Sequence, residues 1–212
     1  MLLKKFVKIL DFFPKEYHKI IKIFFLIYLV ALLGGYSLAY LKNPAILEFK
    51  KTLADQIQND SILNFVIDKI QNREVFAAIF LTFVYNLLVG SFLTTTLTGL
   101  ILFLSPIIAF GRGFFIGFVF SGSFSLSLAY FLVLILTMIF EFAAYILSTS
   151  YGFSLGLSLF YPDYFGEKTS KKAFLKVLKD FYLFYLPITI LLLVGAIWEI
   201  FGIINLMRGF NG

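Results

Sequence analysis

Long uncharged, apolar stretches alternate along this chain with short charged ones, and the lengths of those stretches set the expected architecture. Ile23 to Leu41, Val75 to Gly111, Gly113 to Phe140, Phe142 to Pro162 and Phe181 to Trp198 carry no Asp, Glu, Lys or Arg. A helix rising ~1.5 Å per residue crosses ~30 Å of hydrocarbon in about 20 residues, so most of these runs are long enough to span a bilayer. They are continuous rather than alternating, unlike the strands of an outer-membrane barrel. The expected fold is therefore all-α: a single integral membrane domain over 1–212 with about five transmembrane helices, near 22–41, 75–98, 102–121, 136–160 and 181–204. Pro106, Gly111, Gly113 and Gly117 would loosen the third span, so a broken or re-entrant segment near 105–121 is the competing reading there.

Two other patterns fall outside the spans. Residues 42–74 repeat apolar positions at helical spacing (Ile46, Phe49, Leu53, Ile57, then Ile62, Phe65, Val66, Ile70), broken at Asn59, Asp60 and Ser61. This predicts a helical hairpin outside the bilayer, its apolar stripe packing on protein or lipid or docking a partner. Leu2, Leu3, Phe6, Ile9, Leu10 and Phe13 face Lys4, Lys8 and Asp11 across a short amphipathic segment ending at Pro14. The 163–180 segment repeats the design, with Phe174, Leu175, Leu178 and Phe181 opposite Lys171, Lys172, Lys176 and Lys179 behind the caps Thr169 and Ser170. Both read as interfacial helices on anionic lipid headgroups.

Composition agrees: 60% of the 212 residues are hydrophobic and 14% charged, too few for a soluble globule. The net charge of +6 reflects lysines beside spans, so it orients the chain in the membrane and does not mark a nucleic-acid binder. Positive charge before the first span and in 163–180 predicts a cytoplasmic N-terminus, while 42–74 is balanced and is expected outside. An odd number of crossings between Glu74 and Asp163 follows, with the C-terminus outside. Without cysteine there is no disulfide, thiol chemistry or thiolate metal site. The first span follows about twenty residues bearing several charges and reads as retained rather than as a cleaved signal peptide.

Candidate chemistry is confined to a few polar residues at membrane depth. Glu141, Glu199 and Arg112 interrupt otherwise apolar spans, and Asn86 joins them near mid-depth. A charge in hydrocarbon costs several kcal/mol unless it meets a partner, water or a proton, so such groups mark either a structural polar cluster or a transport pathway. Arg112 is expected within a few Å of Glu141 or Glu199, directly or through water, with Asn86 as a neutral partner. No nucleophile or metal ligand set accompanies the carboxylates, so no catalytic residue, metal or cofactor is expected and the chain reads as non-enzymatic. Gly113 with Gly117, Gly152 with Gly156, and the softer Gly90 with Thr94 are small pairs four apart, which let helix backbones approach within one chain or between copies. Self-association is expected from them and from the hairpin stripe.

The order of these landmarks resembles the stage II sporulation protein M family of integral membrane proteins. The resemblance is carried by the Asn of FVYNLLVG, the glycines of GRGFFIG, the Glu and glycines of FEFAAYILSTSYGFSLG, and the terminal GAIWEIFG. It places the family's embedded polar positions at Asn86, Glu141 and Glu199 and its glycine pair at Gly113 and Gly117. The chain departs where Tyr85 precedes Asn86, where Arg112 precedes Gly113, and where Leu136, Thr137 and Met138 precede the glutamate. The resemblance implies a membrane anchor or assembly subunit with membrane or cell-envelope protein partners. The alternative is a transporter or channel component using the Glu/Arg/Asn site.

Overall fold

A computed structural model describes residues 11–41, 43–59, 61–121 and 128–209. Among these the chain is helical throughout, joined by short turns, and it is an integral membrane protein. The amphipathic reading of residues 2–10 lies outside the described residues. Helix α1, Lys15–Ala39, begins directly after Pro14. The hairpin consists of α2, Pro44–Gln58, and α3, Ser61–Gln71. A turn follows in which Arg73 takes a left-handed backbone (φ 62°) and Lys69 pairs with Glu74 at 2.9 Å.

The second crossing changes winding part-way. It is α-helical over α4, Val75–Tyr85, π-helical over Asn86–Leu97 and 3₁₀ over Thr98–Leu100. Together these form one apolar rod of 26 residues. Helix α5, Leu104–Phe120, is 17 residues long. It runs as an unbroken helix, and the irregular backbone lies just before it, where Ile101 turns extended. Pro106 falls in the first turn of α5, where its missing N–H costs no hydrogen bond. Gly113 and Gly117 pack closely on α1, while Gly111 stands in open space within the helix. Helix α6, Leu128–Phe160, has 33 residues and reaches ~50 Å, more than a bilayer core requires. A short turn at Pro162–Phe165, closed by Gly166 at φ 72°, leads to the amphipathic α7, Ser170–Lys179, and then α8, Phe181–Gly209. Among the described residues, four helical stretches are long and apolar enough to cross a membrane, and α5 is a shorter apolar fifth.

Glycine contacts give the helix directions. Gly113 lies against Tyr28 and Ala31, Gly117 against Leu32, and Gly35 against Phe114 and Phe118, so α5 runs parallel to α1. Asn86 meets Glu141, Gly90 meets Tyr145, and Gly99 meets Gly152, so the second crossing runs parallel to α6. Gly202 against Val133 and Gly195 against Phe140 set α8 antiparallel to α6. Directions thus alternate along these five apolar stretches, and the two parallel seams join stretches two places apart in order, the first with the third and the second with the fourth. At one end of the bundle the hairpin is anchored: Val66 and Ile70 of α3 bury against Ala78 and Ile200, and Ile46 packs on Ala39 and Phe118.

The opposite, basic end is stapled by α7. Thr169 caps this helix by accepting from the Lys172 N–H, and Ala173 and Val177 are buried. Tyr17 donates to Asp180 Oδ2 (2.6 Å), Lys176 meets Glu16 (3.2 Å) and the Phe165 carbonyl (2.9 Å), and Tyr164 donates to the Glu16 carbonyl (2.9 Å). Partial burial, then the Glu16 charge, raises the Tyr164 pKa and keeps that hydroxyl a donor. The rings of Phe13, Tyr17, Tyr151 and Phe184 pack beneath. Leu175 and Leu178 stay exposed on the far side of α7.

Candidate functional site

Parallel registry between the second crossing and α6 brings the embedded polar residues together. Glu141, Tyr145 and Ser148 fall at i, i+4 and i+7 of α6, one face of an α-helix. Opposite them, π-winding bonds each residue to the fifth rather than the fourth along. Gly90, Ser91, Thr95, Thr96 and Gly99 therefore all face inward and are buried, while Leu93 and Leu97 turn out to 49% and 41% exposure. Under α-winding, Asn86, Gly90 and Leu93 or Thr94, then Leu97, would share the face. Thr94 is only partly buried and lies to the side of the seam.

Asn86 Nδ2 donates to Glu141 Oε1 at 2.7 Å, and the Tyr145 hydroxyl donates to Asn86 Oδ1 at 3.2 Å. Gly90 makes room for that tyrosine: a Cβ there would sit 2.9 Å from its hydroxyl. Over the Tyr145 ring lies Arg112 of α5, its guanidinium carbon 4.1 Å from the centroid. Arg112 Nη2 donates to Thr94 Oγ1 (2.6 Å), which donates to the Gly90 carbonyl (2.7 Å). The result is a relay Glu141–Asn86–Tyr145–Arg112–Thr94 that ties three helices.

Arg112 makes no direct ion pair with either glutamate among the described residues; its guanidinium lies over the Tyr145 ring, whose hydroxyl bonds Asn86. Helix α5 packs mainly on α1, whereas Glu199 comes from α8, on another side of α6. Arg112 still attracts Glu141 at longer range. The electron-rich face of a tyrosine supplies the nearer stabilisation, roughly 2 kcal/mol when desolvated. Arg112 Nη1 is buried without a partner. Glu199 has no hydrogen bond or ion pair among the described residues and lies near enough to Glu141 to repel it. The adjacent Trp198 donates to the Val133 carbonyl at 3.3 Å, fixing this stretch of α8 on α6.

A second polar system runs toward the basic end and has no counterpart in the expectations above. Thr95 Oγ1 meets Ser148 Oγ (2.7 Å), and Thr96 Oγ1 bonds both the Ser148 carbonyl (3.1 Å) and the Tyr185 hydroxyl (2.8 Å). Tyr28 of α1 meets Thr149 Oγ1 at 3.2 Å. Ser150 and Ser154 bond back to the carbonyls four residues earlier, whereas the buried Tyr151 hydroxyl between them has no hydrogen-bond partner among the described residues. Below this ladder, a Cβ on Gly99 would collide with the Gly152 backbone, and one on Gly156 with the Gly99 carbonyl. The run Ser148-Thr-Ser-Tyr-Gly on α6, facing Thr94-Thr-Thr, was the available signal. Reading it required knowing the π-winding.

All five glycines singled out above are occupied inside the chain: Gly113 and Gly117 by α1, Gly152 and Gly156 by the end of the second crossing, and Gly90 by Tyr145. No group of three or more His, Cys, Asp or Glu suited to a metal ion occurs among the described residues.

A family model for Stage II sporulation protein M matches residues 23–202. The chain belongs to the Stage II sporulation protein M family. The match opens inside α1 and closes inside α8, so it includes the hairpin, both glycine seams and all four embedded polar residues of this family member. Comparisons with curated proteins and with solved structures find no match.

Proposed function

We propose that this family member is a non-enzymatic membrane scaffold or assembly subunit, with the basic end cytoplasmic and the hairpin and C-terminus outside. The observation that supports it is the use of the embedded polar groups: Asn86, Glu141, Tyr145, Arg112, Thr95, Thr96 and Ser148 bond from helix to helix within the chain. Groups committed in this way brace a bundle. Exposed rings at the hairpin end, Phe65 at 49% and Phe76 at 82%, offer the surface for a membrane or cell-envelope partner or a second copy. Self-association, on this reading, uses these outer faces, since the glycine seams are filled.

A paired experiment tests the proposal. Photocrosslinkers at Phe65 and Phe76 in native membranes should trap adducts of defined mass, and reconstituted proteoliposomes should show no proton or potassium flux. Flux that Glu141→Gln or Glu199→Gln abolishes would replace scaffolding with the transporter or channel reading. Orientation is checked separately. Single cysteines at Ser61 and Ser170 should label from opposite sides of sealed cells, Ser61 from outside, and labelling of both from one side would reject the topology.

A further inference from the structure

At the basic end, a groove of about 620 Å³ opens between α1, the end of α6 and the Pro162–Phe165 turn. Its floor is apolar, formed by Ile20, Ile23, Phe153 and Leu157, and its rim is polar, formed by Lys19, Tyr161, Asp163 and Tyr164. We propose that this groove binds one anionic glycerophospholipid, with the phosphate at Lys19 and an acyl chain along Ile23 and Leu157. The proposal goes beyond the scaffold reading and does not depend on it.

Charge and polarity select this occupant. Lys15, Lys19 and Lys22 recur at spacings of four and three, so they share one face of α1, and all three are exposed. None has a hydrogen bond or ion pair among the described residues. Lys176, by contrast, is consumed by Glu16 and the Phe165 carbonyl. Farther along α1 the same outer side becomes apolar, with Ile23, Leu26, Val30 and Leu33 exposed by 44%, 56%, 61% and 53%. A free cationic stripe that passes within one turn into a lipid-facing apolar one matches a phospholipid from headgroup to chain. A soluble anion would leave the floor empty, and a neutral lipid would leave the lysines without a counter-charge. Asp163, on the rim, favours a headgroup with a single phosphate and hydroxyls to donate, as in phosphatidylglycerol.

The test is native mass spectrometry of the full chain released from nanodiscs of equal phosphatidylglycerol and phosphatidylcholine. One phosphatidylglycerol should be retained preferentially. Lys19→Gln and Lys22→Gln should each reduce that preference about fivefold, since a basic side chain near a charged headgroup contributes on that scale. Lys19→Arg should keep it, and Lys51→Gln, an exposed change on the hairpin, should leave it unaltered. Thermal melts identify any variant that fails to fold, and Lys22→Gln replaces Lys19→Gln in the comparison if the latter does. Equal retention of the two lipids, or retention indifferent to Lys19→Gln in a folded protein, would overturn the proposal. Displacement of the lipid by millimolar inorganic phosphate would reduce the site to a phosphate site and equally overturn it.

Discussion

Where α1 meets α5 the seam is apolar, and backbone touches backbone through Gly35, Gly113 and Gly117. Where the second crossing meets α6, Gly99 and Gly152 again admit the backbone, but an amide, a carboxylate and a row of hydroxyls also cross between the helices. In lipid, apolar side chains gain little by leaving hydrocarbon, so both seams depend on close approach. Only the second adds directional bonds, and these fix its rotation and register. The first is sensitive to added volume, while the second is sensitive also to the loss of single atoms. Glycine spacing alone does not distinguish them.

Adding volume should give the largest effect. A Cβ at Gly117 would land on the Leu32 carbonyl and one at Gly35 on the Phe114 carbonyl, backbone atoms that cannot rotate away. Gly117→Ala should therefore cost about 3 kcal/mol or more, the upper range for overpacking, read as a large fall in melting temperature in detergent. Gly111, with open space around its Cα, should tolerate alanine and serves as the control.

Charge comes next. Arg112→Leu removes the cation from the Tyr145 face and should cost about 2 kcal/mol. Glu141→Gln keeps an acceptor for Asn86 and should cost less. Because the two charges do not touch, the double change should be additive to within about 1 kcal/mol in a thermal-melt cycle. A coupling near the ~3–5 kcal/mol typical of a broken buried pair would mean that Arg112 contacts the carboxylate directly. The smallest effect is expected from the hydroxyls. Thr96→Val, which strips a partner from Tyr185, should cost about 1 kcal/mol, and the exposed Leu97→Val should be near neutral, both read in the same melts.

Much of the fold was legible from charge-free run length. The runs after Glu74 and Asp180 begin their helices at Val75 and Phe181, and Thr169 is the cap of α7. Helix α1 starts at Lys15, seven residues before the expected edge, because lysines can project their ammonium groups to the interface from a helix that continues beyond the hydrocarbon. Of the four embedded polar residues, the structure bonds two to each other and leaves Glu199 outside the network. Asn86 and Glu141 meet, yet Arg112 contacts an aromatic face that charge matching does not reveal. The Thr95–Thr96 ladder was invisible because helical periodicity assumes 3.6 residues per turn, which places Thr94 rather than Thr95 below Gly90. The wider turn is what sets Thr95, Thr96 and Gly99 against the hydroxyls and glycine of the facing helix.

The parallel seams also bear on how the protein is made. Gly113 emerges from the ribosome about 85 residues after Tyr28, which at roughly 5–20 residues per second leaves the first span several seconds in the membrane before its partner exists. The second crossing waits similarly for Gly152. Insertion and assembly are thus separated in time for both seams, and in that interval the face of α1 formed by Tyr28, Ala31, Leu32 and Gly35 is open to whatever neighbour the membrane supplies.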